Sequence, residues 1–182
     1  FGCHRGGGPV KFVMDIENCE FKESLDILSN ITWKVINNNF DAEKHKAQKN
    51  IYSLYKDATT YYQTALSRHP EMKKYLMERG FNDESMQTFH LGYADSWVEL
   101  FNYLKSKWYD NQLIEDSKIF IDISRKKDKF INRIVFPIQN ARWDFVAFTG
   151  RIIWDWEPKY LNSPASDYYD KFNPHMRKLN VL

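Results

Sequence analysis

The strongest constraint in this sequence is a pair of β-rich runs lying close together. Ile134-Val135-Phe136 and Phe145-Val146-Ala147-Phe148 are separated by a stretch that contains Gln139-Asn140-Ala141-Arg142. β-Branched and aromatic residues suit a pleated, half-buried surface, and a short polar connection between two such runs signals an antiparallel hairpin. Arg151-Ile152-Ile153-Trp154 extends the second run. Pro137 marks an edge or a strand end, because it has no amide to give to a ladder. Ile119, Ile121 and Ile123 alternate with Phe120 and Asp122, which predicts a further strand.

Upstream the apolar rhythm changes from 2 to 3.6. Pro9 follows a glycine run and suits the first position of a short helix whose apolar face is Val10, Val13 and Ile16. Phe21, Leu25 and Leu28 predict a second helix from Phe21 to Asn30. Asp41 is placed to cap a long helix reaching about Ser67, with the stripe Ile51, Leu54, Ala58, Tyr61 or Tyr62, and Ala65. His69-Pro70 ends it and starts a helix over Glu71 to Arg79, which Gly80 closes. Asn82 caps another helix, closed by Gly92, and Ser96-Trp97-Val98-Glu99 reads as a capping box for a helix to about Trp108. A short helix follows around Gln112 to Asp116. The fold class is therefore α+β, a helical first half followed by a small antiparallel sheet. With 43% hydrophobic and 16% aromatic residues the core can be sizeable, which excludes global disorder, and 7 Gly and 6 Pro exclude a low-complexity chain. No apolar run approaches the roughly 18 residues of a membrane span.

Thr32 to His45 is polar and holds Asn37, Asn38 and Asn39 in a row. It reads as a linker over 33–45, dividing 1–32 from a main unit over 46–182. The chain opens on Phe1-Gly2-Cys3-His4-Arg5-Gly6-Gly7-Gly8 without Met and ends abruptly at Leu182, as a piece of a longer protein would.

The formal charge of +2 excludes a histone-like protein, but it is unevenly spread: residues 1–104 hold 12 basic and 14 acidic groups, residues 105–182 hold 14 and 10. The basic excess lies among Trp143, Trp154, Trp156 and Tyr160. Cations that track phosphates, interleaved with rings that stack bases, suit a single-stranded nucleic acid. A solvated sheet face with core aromatics explains the same residues more simply, because a net +4 is a weak field.

Two cysteines do not make a disulfide scaffold and fit a reducing, cytosolic setting. Cys3-His4 is metal-ligand material, yet no Cys or His stands two to four residues before Cys3, so taken alone it is an ordinary thiol. Cys19 reads as a small core residue. His45, His69, His90 and His175 have no partner at a metal or triad spacing. Gly6-Gly7-Gly8-Pro9 lacks the Lys-Ser/Thr of a phosphate loop. Asp155 and Glu157 form a carboxylate pair suited to magnesium, but Pro158 follows at once and favours an exposed acidic turn.

Several strings converge on one family. Phe1-Gly2-Cys3, Gly6-Gly7, Val10 and Phe12-Val13-Met14 resemble the end of the zinc ribbon of bacterial DNA primases of the DnaG type. Phe130-Ile131-Asn132-Arg133-Ile134-Val135-Phe136-Pro137-Ile138 resembles a run of that family except at Ile131 and Val135. Gly150-Arg151, then Pro158-Lys159-Tyr160-Leu161-Asn162-Ser163-Pro164, matches a second, and Arg79-Gly80-Phe81 with Phe89-His90-Leu91-Gly92-Tyr93-Ala94 a third. Thr149 in place of Gly, Ala165-Ser166 in place of Glu-Thr and the ending Met176-Arg177-Lys178 depart from the family.

The resemblance implies a DNA-directed RNA polymerase, a nucleotidyltransferase that makes short RNA primers on single-stranded DNA during replication. It implies that Arg133, Arg151, Lys159, Tyr160 and Asn162, with Arg79 as a further candidate, line a basic groove for template and nucleotide. Lysine and arginine would meet phosphate, Tyr160 would offer a ring and a hydroxyl, and Asn162 an amide. Cys3 becomes the fourth ligand of a structural Zn2+, and Mg2+ or Mn2+ belongs to a following Toprim domain. No catalytic residue is assigned within this chain, and the stretch alone is expected to be inactive. The implied partners are single-stranded DNA, ribonucleoside triphosphates, the RNA–DNA hybrid and a replicative helicase met through a C-terminal domain in a cytoplasmic primosome, with no membrane. The alternative is a non-catalytic single-stranded nucleic-acid-binding module or a phage or plasmid primase-helicase remnant.

Overall fold

The computed structural model describes residues 8–32, 42–140, 142–166 and 169. Helices α1 (Pro9–Glu17) and α2 (Phe21–Thr32) form a pair, turned at Asn18, which takes the left-handed conformation at φ 49°. Val13, Ser24 and Ile27 are its buried residues. Glu23 of α2 ties the pair to the rest of the chain: its Oε1 accepts from Gln48 Nε2 at 2.8 Å and from Arg142 Nη2 at 2.7 Å.

Helix α3 (Ala42–Arg68) is the long axis of the fold. Residues 42–45, read from sequence as linker, belong to its first turns; 33–41 lie outside the described residues. The apolar stripe is as its rhythm predicts: Ile51, Leu54, Tyr55, Ala58, Tyr62 and Ala65 are all at most 1% exposed, and Tyr61 is buried beside them. Helix α4 (Pro70–Glu78) begins on proline and is closed by Gly80, whose φ of +91° only glycine adopts without strain. Helix α5 (Asp83–Thr88) carries a capping box, Asn82 Oδ1 accepting from Ser85 N at 2.7 Å and Ser85 Oγ from Asn82 N at 2.9 Å.

Three local readings are corrected. Gly92 does not close a helix. It opens strand β1 (Gly92–Tyr93), where a Cβ would fall 2.7 Å from the Tyr62 carbonyl carbon, so glycine allows α3 to meet the sheet. Ser96 Oγ accepts weakly from Glu99 N at 3.3 Å, but the reciprocal half of that box is replaced: the Glu99 carboxylate accepts from Tyr61 Oη at 3.3 Å. Helix α6 (Glu99–Ser106) consequently starts at Glu99, and it stops before Trp108. Helix α7 (Asn111–Asp116), capped by Asp110, leads into strands β2 (Phe120–Asp122) and β3 (Lys127–Asp128), a small ribbon of their own.

Strands β4 (Arg133–Gln139) and β5 (Phe145–Ile152) are the predicted hairpin, and the second run ends at Ile152, short of Trp154. With β1 and β6 (Tyr160–Asn162) they make an antiparallel sheet of order β1-β4-β5-β6. β1 pairs only as far as Val135, so Pro137 sits where the outer edge of β4 has no strand beside it among the described residues. One face of the sheet packs on α3: Phe148 lies 5.6 Å from Tyr55, 5.3 Å from Tyr62 and 5.9 Å from Phe130, ring centre to ring centre. Beneath them Asp128 is fully buried. It accepts from Tyr62 Oη at 2.9 Å and from the Phe130 amide at 2.7 Å, and burial pushes its pKa up to about 7. The other face meets Leu66, Met72, Leu76 and Met86 through Tyr93, Ile134 and Phe136, which covers the β1–β4 half; no helix among the described residues packs on the β5–β6 half in the same way.

Candidate nucleic-acid interface

The open half of that second face is built by register. Directly opposed residues of an antiparallel pair point to the same side. Arg151 pairs with Ile134 on β4 and with Tyr160 on β6, while Thr149 pairs with Phe136 and Asn162. Arg151, Tyr160, Thr149 and Asn162 therefore share one face. The Arg151 guanidinium carbon lies 5.5 Å from the centre of the Tyr160 ring, which is 40% exposed. Thr149 Oγ1 donates to Asn162 Oδ1 at 2.7 Å, which holds the amide oxygen and leaves Nδ2 as a donor with no partner among the described residues.

Arg151 is 6% exposed, its Nε is buried without a hydrogen-bond partner, and no carboxylate among the described residues lies within 4 Å of it. An arginine stays charged even when buried, so such a group is held at a cost unless an anion reaches it.

Arg133 pairs with Ile152 and so stands on the opposite face, toward α3. It is 7% exposed, and burial lowers its pKa below the ordinary arginine value. Its side chain runs beneath β5 at Gly150, where a Cβ would come within 3.0 Å of Arg133 Cδ, and its Nη1 donates to the Lys159 carbonyl at 3.3 Å. The same carbonyl accepts from Ile152 N at 3.0 Å, while Lys159 N donates to Glu157 Oε2 at 3.1 Å. The Lys159 backbone is thus fixed from three sides and its side chain is left exposed. Arg79 is not part of this group. It stands at the end of α4 with its guanidinium 4.8 Å over Tyr75.

Sequence reasoning omitted Thr149 from the site and set Arg133 beside Arg151. Two-residue alternation along β5 is the signal that finds Thr149. Cys3, the expected zinc ligand, lies outside the described residues. Among those described, no three His, Cys, Asp or Glu side chains converge as a metal ligand set. Cys19 is half-buried, and its thiol is pushed up to about 11 by burial and then by Glu23. It is a protonated packing group rather than the thiolate a metal needs.

The arginine–tyrosine pair thus stands on the β5–β6 half of a small antiparallel sheet that packs against helices on both faces. The family model for the DNA primase catalytic core, N-terminal domain, matches residues 61–175, and the chain belongs to this family. The DNA primase of Clostridium acetobutylicum is 35% identical over 94% of this chain and 30% of its own length. The chain thus spans just under a third of such a relative. The crystal structure of the Aquifex aeolicus primase zinc-binding and RNA polymerase domains covers 93% of this chain and 42% of its own, at 30% identity and a TM-score of 0.62. A DnaG primase catalytic domain bound to single-stranded DNA covers 69% of this chain and 41% of its own, at 30% identity and a TM-score of 0.61.

Proposed function

We propose that the open β5–β6 face is the wall along which a single-stranded DNA template and ribonucleotide phosphates lie in a primer-synthesising RNA polymerase. The observation that carries this reading is Arg151: a buried guanidinium with an unpartnered Nε and no carboxylate within 4 Å among the described residues, beside the exposed Tyr160 ring and the exposed Asn162 amide. A phosphate supplies the missing anion, Tyr160 a stacking surface, Asn162 a donor and Lys159 a mobile cation. Arg133 supports the wall from behind by holding the Lys159 carbonyl. Arg79, over Tyr75 at the end of α4, takes no part in this wall. The single-stranded DNA held by the structurally similar DnaG catalytic domain supports the same ligand class here.

The curated primase relatives favour this reading over a non-catalytic binding module or a primase-helicase remnant. In the whole protein we place residues 1–32 at the end of a zinc-binding domain, with Cys3 as a structural zinc ligand, and 46–182 in the polymerase core. The Mg2+ or Mn2+ of nucleotidyl transfer would be held by a Toprim domain, and a replicative helicase would dock elsewhere, within a cytoplasmic primosome. The test is fluorescence anisotropy with a labelled single-stranded DNA. The chain should bind in the micromolar range or weaker, because few charges take part. Losing a charge-assisted contact typically costs about 1.5–3 kcal/mol, so Arg151→Gln should weaken binding roughly tenfold or more while far-ultraviolet circular dichroism stays unchanged. A folded Arg151→Gln protein with undiminished affinity would refute the assignment.

A further inference from the structure

The connection between β5 and β6 carries two indoles that the wall described above does not use. Trp154 is 58% exposed and Trp156 68%. Three observations bear on their purpose. The turn that presents them is fixed at both ends, by Ile152 N donating to the Lys159 carbonyl at 3.0 Å and by the Arg151–Tyr160 pair, and at its tip Trp156 N donates to the Trp154 carbonyl at 2.8 Å. Trp154 is three residues from Arg151 and Trp156 four from Tyr160, so about 10–14 Å of chain at most separates the indoles from the wall. The two carboxylates that alternate with them, Asp155 and Glu157, have no cation within 4 Å among the described residues, and both are exposed. Two uncompensated negative charges repel a phosphate backbone. What the turn offers a ligand is therefore the face of an aromatic ring, not a cation.

We infer that Trp154 and Trp156 form a base-stacking platform that continues the aromatic surface begun by Tyr160. The occupant is the unpaired bases of a single-stranded nucleic acid. Its backbone follows Arg151 and Lys159, and its bases turn toward the indoles, while its phosphates keep clear of Asp155 and Glu157. A duplex does not fit this role, because its bases are already stacked on one another. The inference rests on the wall being a single-strand site.

The experiment titrates the 182-residue chain with labelled strands of equal length: single-stranded DNA, an abasic strand with the same phosphates and no bases, and duplex DNA. Wild type should bind single-stranded DNA more tightly than the abasic strand. Trp154→Ala and Trp156→Ala should each weaken binding of single-stranded DNA by roughly 5- to 150-fold, as loss of a stacking ring does, with the salt dependence unchanged. Their affinity for the abasic strand should stay at the wild-type value. Trp154→Tyr keeps a ring and should retain most of the affinity, which separates stacking from misfolding. If wild type binds base-bearing and abasic strands equally and the alanine variants match it, the platform is wrong while the wall stands. If wild type binds no strand at all, the wall reading fails and this inference falls with it.

Discussion

On the α3 side of the sheet, Val135 and Phe148 are buried against Tyr55, Tyr62 and Phe130, and the one carboxylate beneath them, Asp128, has both oxygens hydrogen-bonded. On the far side, one residue further along the same strands, lie Arg151, Thr149, Tyr160 and Asn162: Tyr160 and Asn162 are exposed, and the buried Arg151 Nε has no hydrogen-bond partner. Period-2 alternation lets β5 serve both faces. The first is closed around packed rings and a hydrogen-bonded Asp128, with Arg133 at its end held by the Lys159 carbonyl. The second leaves a cation incompletely neutralised, which a fold tolerates where a ligand completes it. Substitutions on the two faces should therefore separate cleanly into effects on stability and effects on binding.

The largest effect expected is on the closed face. Phe148→Ala removes a ring that touches three others and should lower unfolding stability by about 3–5 kcal/mol in urea titration. Any protein that remains folded should still bind single-stranded DNA. Near-normal stability would show that α3 does not pack on the sheet as described.

A pH effect comes next. Burial raises the Asp128 pKa from 3.8 to about 7, so the folded state holds this proton more tightly than the unfolded chain does. The sign follows: its contribution to stability is fully present below about pH 4 and is lost as pH rises toward 7, where the folded protein must carry a buried charge. Asp128→Asn cannot ionise. Urea unfolding at pH 5 and pH 8 should show a shallower decline for the variant than for wild type. Parallel declines would mean that Asp128 titrates normally.

On the open face, Tyr160→Ala should weaken single-strand binding by roughly 1–3 kcal/mol with the salt slope unchanged. Its melting temperature should barely move, since the ring is 40% exposed. A drop in melting temperature without loss of binding would make Tyr160 a core aromatic instead.

How much of this was legible in the sequence depends on the length of each pattern. The α3 stripe repeats over about four turns and the hairpin runs are rich in β-branched and aromatic residues, so both are readable. Strands β1 and β6 are two and three residues long and carry no periodicity of their own. Gly92 looks like a helix stop for the same reason, because its true constraint is the approach of Tyr62 from 30 residues away. The family strings name candidate residues but not the face on which each stands. Whether Arg133 stands beside Arg151 or behind it turns on the register Arg133 to Ile152, which is set by the whole hairpin, including the irregularity between Ile138 and Gln139. The capping box at Ser96 failed through a tertiary contact, Tyr61 engaging Glu99, that no local rule contains.

The smallest change is also the most direct test of the central claim that the β5–β6 face reads the phosphates of a single strand. The Lys159 side chain is exposed and no hydrogen bond of the sheet depends on it, so Lys159→Ala should leave stability intact. Anisotropy titrations of single-stranded DNA over a range of salt should then show weaker binding to all sequences alike, with the slope of log K against log salt reduced by roughly 0.7, the loss of one phosphate contact. An affinity and a slope both equal to wild type would contradict the account.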